Sequence, residues 1–278
     1  MSLCNMRDLL NDARKGGYAV GSFSVANLES IMGVIAAAEE LRAPVIIQCA
    51  ETRLKHHPLK LLGPLMIAAA KSASVPVAVH LDHGTTIACV KEALDLGFTS
   101  VMIDGSHHPI EENLALVRQV VEMAKATGAC VEAEVGRVGR GEDGSDSPTV
   151  AASLEDCYLM DGTGLDALAV GIGNAHGLYA ATPELRYDIL EQLSGKLNAH
   201  LVLHGGTGLT DEQFIKLISL GMRKINIATD VFRAAALAER SCDIFSNITA
   251  AKEAVKAVTQ RYIALFGSAG KAEPHGQI

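Results

Sequence analysis

Short runs of β-branched and other apolar residues alternate along the chain with longer stretches of helical period, the arrangement of repeated strand–helix units around a parallel sheet. Eight runs read as strands: Tyr18–Val25, Pro44–Ala50, Val77–His83, Ser100–Ser106, Cys130–Gly136, Ala167–Ile172, Leu201–Gly205 and Lys224–Thr229. Enough chain separates each from the next for a helix, so the pattern predicts an α/β fold, a (β/α)8 TIM barrel in a single domain over residues 1–278. After the fourth strand, Ile110, Leu114, Val117, Val121 and Ala124 share a helical face that is expected to pack on the barrel, while Glu111, Glu112, Arg118 and Lys125 fall elsewhere. Thr210, with Gln213 three residues later, reads as a capping box that sets a helix start. The polar, glycine-rich stretch from Arg137 to Thr149 reads as a loop after the fifth strand, either a plain connection or, in a barrel, a mobile lid over about 137–150.

Composition narrows the picture. The 278 residues, 49% of them apolar, suit one large domain with an ample core. Twenty-six glycines, 4% aromatic residues and no tryptophan point to small-residue packing and argue against base stacking. A formal charge of −8 argues against nucleic acid as a partner, because displacing phosphate counterions takes an excess of Lys and Arg. The cysteines at 4, 49, 89, 130, 157 and 242 are scattered without a C-x-x-C pair, so they are expected to be buried thiols, neither disulfides nor metal ligands. The apolar run from Leu61 to Ala70 is too short to span a bilayer, and Arg7 and Asp8 interrupt the first residues before a signal-like stretch develops. A cytoplasmic location and no membrane partner are the expectation.

In a parallel barrel the polar residues at the carboxyl ends of the strands are the ones placed to act on a ligand. Here they are Asp82 and His83 after the third strand, Asp104 and Ser106 after the fourth, Glu132 and Glu134 on the fifth, His176 after the sixth, His204 at the seventh and Asn226 at the eighth. One histidine alone would read as a hydrogen-bonded core residue. Three from three strand ends suit a divalent transition metal, since neutral imidazoles ligate zinc and a three-ligand shell leaves room for substrate. His80 shares the face of Asp82 and is a weaker competitor, whereas the histidines at 56, 57, 107, 108, 200 and 275 read as surface or turn residues, or lack this placement. Glycine-rich turns at His176-Gly177, Gly205-Gly206-Thr207-Gly208 and Asn226 to Thr229 each precede an expected helix. Such turns bind phosphate through backbone N–H groups, and the loops after the last two strands are a common phosphate locus in barrels.

Taken in order, Phe23-Ser24-Val25, His80-Leu-Asp-His83-Gly, Ser100 to Ser106, Val131-Glu-Ala-Glu134-Val-Gly-Arg137, Ala169 to Tyr179, Leu203-His-Gly-Gly-Thr-Gly208 and Lys224-Ile-Asn-Ile-Ala-Thr-Asp230 resemble the class II aldolases. The branch most similar contains fructose-bisphosphate and tagatose-bisphosphate aldolases, and the resemblance runs from about residue 5 to residue 235. It implies a reversible cleavage of a phosphorylated ketose to dihydroxyacetone phosphate and an aldehyde, through an enediolate stabilised by Zn²⁺. It implies His83, His176 and His204 as zinc ligands with Glu134 and Asp104 close to the metal. It makes Asp82 the acid/base at the hydroxyl of the aldehyde-derived carbon and Glu142, in the loop, the group exchanging the proton on the enediolate carbon. It assigns Gly177, Gly205, Thr207, Asn226 and Thr229 to the phosphate and hydroxyls of the dihydroxyacetone phosphate half, and a homo-oligomer, dimer or tetramer, to the protein.

Several positions depart from the family pattern. Thr207 stands where serine is usual, and Ala181 where a phosphate-binding lysine often sits. Ser24 replaces an asparagine, Arg140 replaces a glycine, and Cys242 to Asn247 lacks the basic stretch that in relatives grips a second phosphate. The expected aldehyde partner is therefore not glyceraldehyde 3-phosphate, and an unphosphorylated one fits. Two other readings of the residues are a non-catalytic accessory subunit of an aldolase complex and a metal-dependent barrel hydrolase; retention of the histidines, Asp82 and Glu142 speaks against the first, and the phosphate turns against the second.

Overall fold

Each of the eight apolar runs forms a strand in the computed structural model, which describes residues 2–139, 148–238 and 241–272. The strands are β1 (Val20–Ser24), β2 (Val45–Ala50), β3 (Val77–Gly84), β4 (Ser100–Ile103), β5 (Cys130–Val135), β6 (Ala167–Val170), β7 (His200–Leu203) and β8 (Met222–Ile227). They pair in parallel in chain order, and β8 returns to β1 to close the barrel. Closure removes every sheet edge, and the helices cover the outer face, so nearly every strand residue is buried. That double burial explains why β4, β6 and most of β2 and β7 appear in the sequence as nearly continuous apolar runs, while β1, β3, β5 and β8 carry polar residues among the apolar ones.

The helices are α1 (Met6–Gly16), α2 (Leu28–Glu40), α3 (Leu59–Ser72), α4 (Ile87–Asp95), α5 (Ile110–Ala124), α6 (Leu154–Asp161), α7 (Tyr187–Leu193), α8 (Asp211–Ser219), α9 (Thr229–Leu237) and α10 (Ile244–Leu265), with a 3-10 turn at Glu51–Arg53. The Thr210 hydroxyl accepts from Gln213 N, and the Gln213 side chain accepts from Thr210 N, so the expected capping box starts α8. On α5 the buried face is turned slightly from the expected one: Asn113 and Val120 are buried with Leu114, Val117 and Ala124, while Ile110 and Val121 sit at its margin. Asn113 donates from Nδ2 to the Glu134 carbonyl, which offsets part of the cost of burying its amide.

Strand residues that point outward, such as Phe23, Ile47, Val79, Leu81, Val131 and Ile225, join the helices in the main core. Those that point inward start as a second apolar cluster: Val20, Ile46, Ala78, Cys130, Ala167, Ala169 and Val202, capped by Met6, Leu9 and Leu10 of α1. This helix closes the amino-terminal end of the barrel. Two residues further along four of these strands the interior turns polar, with Ser22, Gln48, His80 and Glu132, joined by Lys224 of β8, all fully buried.

Several expectations about element ends need correction. Asp104, Ser106 and His204 lie just past their strands, and Thr229 opens α9 where a strand residue was expected. At the mouth the chain turns away to its helix, so backbone pairing stops before the side chains that face the opening. The turn at His176-Gly177 does not lead directly to a helix, since α7 starts only at Tyr187. His200 is neither a surface nor a turn residue: it begins β7, is buried, and its Nε2 lies 3.1 Å from Asn11 Oδ1 of α1. Five cysteines are buried free thiols, burial pushing that of Cys4 up to about 12, but Cys242 is exposed. His275 and residues 140–147 of the loop lie outside the described residues. Among the described residues no helix is long and apolar enough to cross a membrane.

Candidate active site

Three of the strand-end histidines meet at the mouth. One ring nitrogen from each of His83, His176 and His204 lies within 4.8 Å of the others, and all three side chains are buried. His83 Nε2 is 2.9 Å from His204 Nδ1, and the His83 ring stands 4.9 Å from that of His176, centroid to centroid.

The placement of His83 requires a local distortion. Asp82 and His83 are neighbours on β3, and regular alternation would send them to opposite faces of the sheet. The pairing of β3 with β4 shifts register between Leu81 and Gly84, and His83 takes φ +41°, in the left-handed region that side chains other than glycine adopt only at a cost of about 1 kcal/mol. The bulge turns both side chains toward the mouth. Gly84 follows because a Cβ there would lie 2.4 Å from the Met102 carbonyl oxygen. Gly205, at φ +64°, has the same role after β7, where a Cβ would meet the Ala175 carbonyl oxygen at 2.3 Å.

Carboxylates hold the rings. His83 Nδ1 is 2.7 Å from Asp104 Oδ2, and His204 Nε2 is 2.8 Å from Glu132 Oε1. The free nitrogens of these two rings thereby face each other, the orientation that carboxylate partners impose on metal-binding histidines. Glu134 accepts from Val138 N through Oε1, while its Oε2 is buried 3.5 Å from His204 Nδ1 with no hydrogen-bond partner among the described residues. Converging imidazole nitrogens and an orphaned buried carboxylate oxygen fit a bound dication.

Electrostatics agree with this reading. Burial works against a charged His83, but Asp82 and the bond to Asp104 outweigh it and hold its pKa well above the usual histidine value. Burial also opposes ionisation of Asp104, yet its bond to His83 keeps the carboxyl below the usual range. Glu134 is pushed up to about 8 by burial and by the charge of Asp104. His204 is held well below the usual value by burial and by His83. The site carries more competing charge than it can satisfy alone, which a dication would relieve.

Asp82 is fully buried and held from two sides. Gln48 Nε2 donates to Oδ2 at 2.8 Å, and Asn226 Nδ2 donates to Oδ1 at 3.1 Å. Gln48 also donates to Ser24 Oγ at 3.1 Å, and its Oε1 accepts from Ser22 Oγ. Lys224 completes the layer, its Nζ lying 3.0 Å from Glu132 Oε2 and donating to Asn226 Oδ1 at 2.8 Å. His80, Asp82 and Glu132 form another group with metal-ligand spacing, but Lys224 already supplies a cation there.

The glycine turns surround this centre. Tyr179 Oη accepts from Ala175 N at 2.9 Å and donates to the Gly205 carbonyl at 2.8 Å, joining the His176 segment to the turn after β7. Asn174, fully buried, donates to the His204 carbonyl at 2.8 Å. Gly177 has φ +79°, Thr207 is buried with its hydroxyl 3.4 Å from Asp230 N, and Thr229 is the first residue of α9. The expected site residues are thus brought together, except Glu142, which lies outside the described residues. Sequence reasoning missed Gln48, Lys224, Asn174 and the ties made by Tyr179. Gln48 and Lys224 carried one usable signal, a polar residue two positions after an apolar one inside a strand.

Residues 4–271 match the family described as fructose-bisphosphate aldolase class-II, a longer span than the motifs alone covered. A fructose-bisphosphate aldolase from Geobacillus stearothermophilus is 41% identical, the match covering 98% of this chain and 99% of that one. A 6-phospho-5-dehydro-2-deoxy-D-gluconate aldolase from Halalkalibacterium halodurans is 39% identical over 98% of this chain and 99% of its own length. Among solved structures, the YdjI aldolase from Escherichia coli K12 superposes with a TM-score of 0.87 at 35% identity, covering 98% of this chain and 100% of that one. With this barrel and this cluster at its mouth, the chain belongs to the class II fructose-bisphosphate aldolase family, whose members are lyases and generally metal-dependent.

Proposed function

We propose that the chain is a zinc-dependent aldolase that reversibly cleaves a ketose 1-phosphate to dihydroxyacetone phosphate and an aldehyde. The observation that carries this reading is the convergence of His83, His176 and His204 at the barrel mouth, beside a buried carboxylate at Asp82. Three imidazoles are the donor set that favours Zn²⁺ and leaves a position open to substrate. When bound, zinc supplies Lewis-acid polarisation of the ketose carbonyl and stabilises the charge left as the carbon–carbon bond breaks.

The chain's own residues do the rest. Asp82 takes the proton from the hydroxyl of the aldehyde-derived carbon during cleavage and returns it during condensation. Gln48 and Asn226, each donating to a different oxygen, hold that carboxylate in place. Asp104 and Glu134 lie beside the metal, Asp104 orienting His83 and Glu134 offering its unpartnered oxygen. Glu142 exchanges the proton on the carbon of the dihydroxyacetone phosphate half, and loop 137–150 is its lid. Gly139, at the root of that loop, accepts from His176 N at 2.8 Å, a direct link between lid and ligand. Gly177, Gly205, Thr207, Asn226 and Thr229 bind the phosphate and hydroxyls of that half through backbone N–H groups and side-chain dipoles.

The far end of the substrate is unphosphorylated in this reading. Residues 241–247 contain no Lys or Arg, and Asp243 is spent capping α10 by accepting from Ser246 N. The protein is a cytoplasmic single-domain homo-oligomer in this account; Leu237, Ile244 and Phe245, at 75%, 62% and 75% exposed, supply apolar surface for a subunit contact. The test is a coupled assay for dihydroxyacetone phosphate with zinc restored, comparing ketose 1-phosphates with 1,6-bisphosphates and using His83→Ala as control. Faster cleavage of the monophosphates, abolished by chelation and by His83→Ala, is expected. Preference for bisphosphates would overturn the substrate assignment, and full activity after thorough chelation would overturn the metal assignment.

A further inference from the structure

Lys224 is fully buried on β8, beneath the mouth, and has two neighbours at hydrogen-bond distance that lead to different parts of the site. Its Nζ donates to Asn226 Oδ1 at 2.8 Å and to Glu132 Oε1 at 3.2 Å, with Glu132 Oε2 at 3.0 Å. An ammonium group has three donors and no acceptor, so whatever faces it must accept. For Asn226 this settles an otherwise ambiguous amide: Oδ1 faces Lys224, and Nδ2 is left to donate to Asp82 Oδ1 at 3.1 Å. For Glu132 it holds an acceptor-only carboxylate against His204 Nε2 at 2.8 Å. That ring nitrogen must then carry the hydrogen, and a neutral imidazole has only one, so Nδ1 presents its lone pair toward His83 Nε2 at 2.9 Å.

We infer that Lys224 is a positioning residue that sets, through one ammonium group, both the nitrogen His204 turns to the mouth and the amide face Asn226 turns to Asp82. A glutamine or a water in its place could accept as well as donate, and either neighbour could then reverse. A donor-only cation allows one arrangement. The His204 half of the inference rests on the reading of His204 as a zinc ligand through Nδ1.

The test uses the full chain with Lys224→Met, the double variant Lys224→Met with Glu132→Gln, and His83→Ala. The double variant removes the carboxylate that Lys224 had paired, so it guards against a single variant that does not fold. In Lys224→Met the buried Glu132 has lost its counter-charge and takes up a proton, and in the double variant an amide stands there, so in both the group facing His204 Nε2 can donate as well as accept. Nitrogen NMR of histidine-labelled, metal-free protein should then show His204 losing its single Nε2–H tautomer. Zinc affinity, read by chelator competition, should fall about 10–100-fold. At saturating zinc, kcat should fall about tenfold or more, because Asp82 loses one of its two fixed donors. A folded Lys224 variant that keeps the Nε2–H tautomer and wild-type zinc affinity would overturn the inference. If His83→Ala also keeps wild-type zinc affinity, the ligand assignment has failed instead, and the tautomer in metal-free protein still decides the role of Lys224.

Discussion

At the floor of the barrel interior, Val20, Ile46, Ala78, Cys130, Ala167 and Val202 pack under Met6, Leu9 and Leu10 of α1, whereas nearer the mouth Ser22, Gln48, His80 and Glu132, two residues further along their strands, are joined by Lys224 of β8. Both layers are buried, and the same backbone carries them. The floor is held by contacts without direction, so many side chains of the right volume would serve. In the polar layer each group must find a partner of opposite role at the right distance, because an unmet donor or acceptor there costs as much as a lost hydrophobic contact. One layer therefore carries stability with little information, and the other carries information at some expense of stability. Changes at the mouth should be read in turnover, and changes at the floor in unfolding.

The largest effect expected from this contrast is at Asp82. Asp82→Asn should lower kcat by about 10²–10⁴-fold, the range for losing a general acid/base, while the protein stays folded. Steady-state kinetics beside thermal unfolding checks it, and a variant of normal turnover would remove Asp82 from the chemistry. At the floor, Leu10→Ala should cost about 2–5 kcal/mol of stability, as for other buried leucines, and leave kcat of the folded enzyme nearly unchanged. Denaturant unfolding measures the first and kinetics the second; a large fall in kcat would mean the two layers are not separable.

The smallest effect is in zinc uptake. His83 and Glu134 both hold their protons more tightly than usual in the metal-free protein, the latter up to about 8. Zinc must displace those protons, so its apparent affinity should rise with pH, about tenfold per unit for each proton released, and level off above the folded pKa values. Calorimetry in buffers of different ionisation enthalpy counts the protons. Uptake with no proton release near pH 7 would contradict the charge assigned to His83.

Much of the fold was legible because the outward face of every strand is apolar and β-branched residues cluster in short stretches between the helical segments. All eight stretches from β1 to β8 stand out that way, even where polar residues alternate with them on the inward face, and the errors fall at strand ends. His83, His176 and His204 were legible for a related reason: a polar residue following such a run marks the mouth. His200 shows the limit. It borders β7 at the amino end, where chain order already sets it apart from the mouth, but its burial against Asn11 of α1 comes from a contact 189 residues away.

The chain's alternation of apolar runs and amphipathic stretches by itself determined a closed parallel barrel and the set of residues at its mouth, since both follow from local burial. Tertiary structure alone decided how those residues are joined: the bulge that turns Asp82 and His83 the same way, and the contact of Lys224 with Glu132 across 92 positions of sequence. Hydrogen-bond partners depend on distances of a few tenths of an ångström between segments far apart in the chain, and no local pattern of polarity encodes such distances.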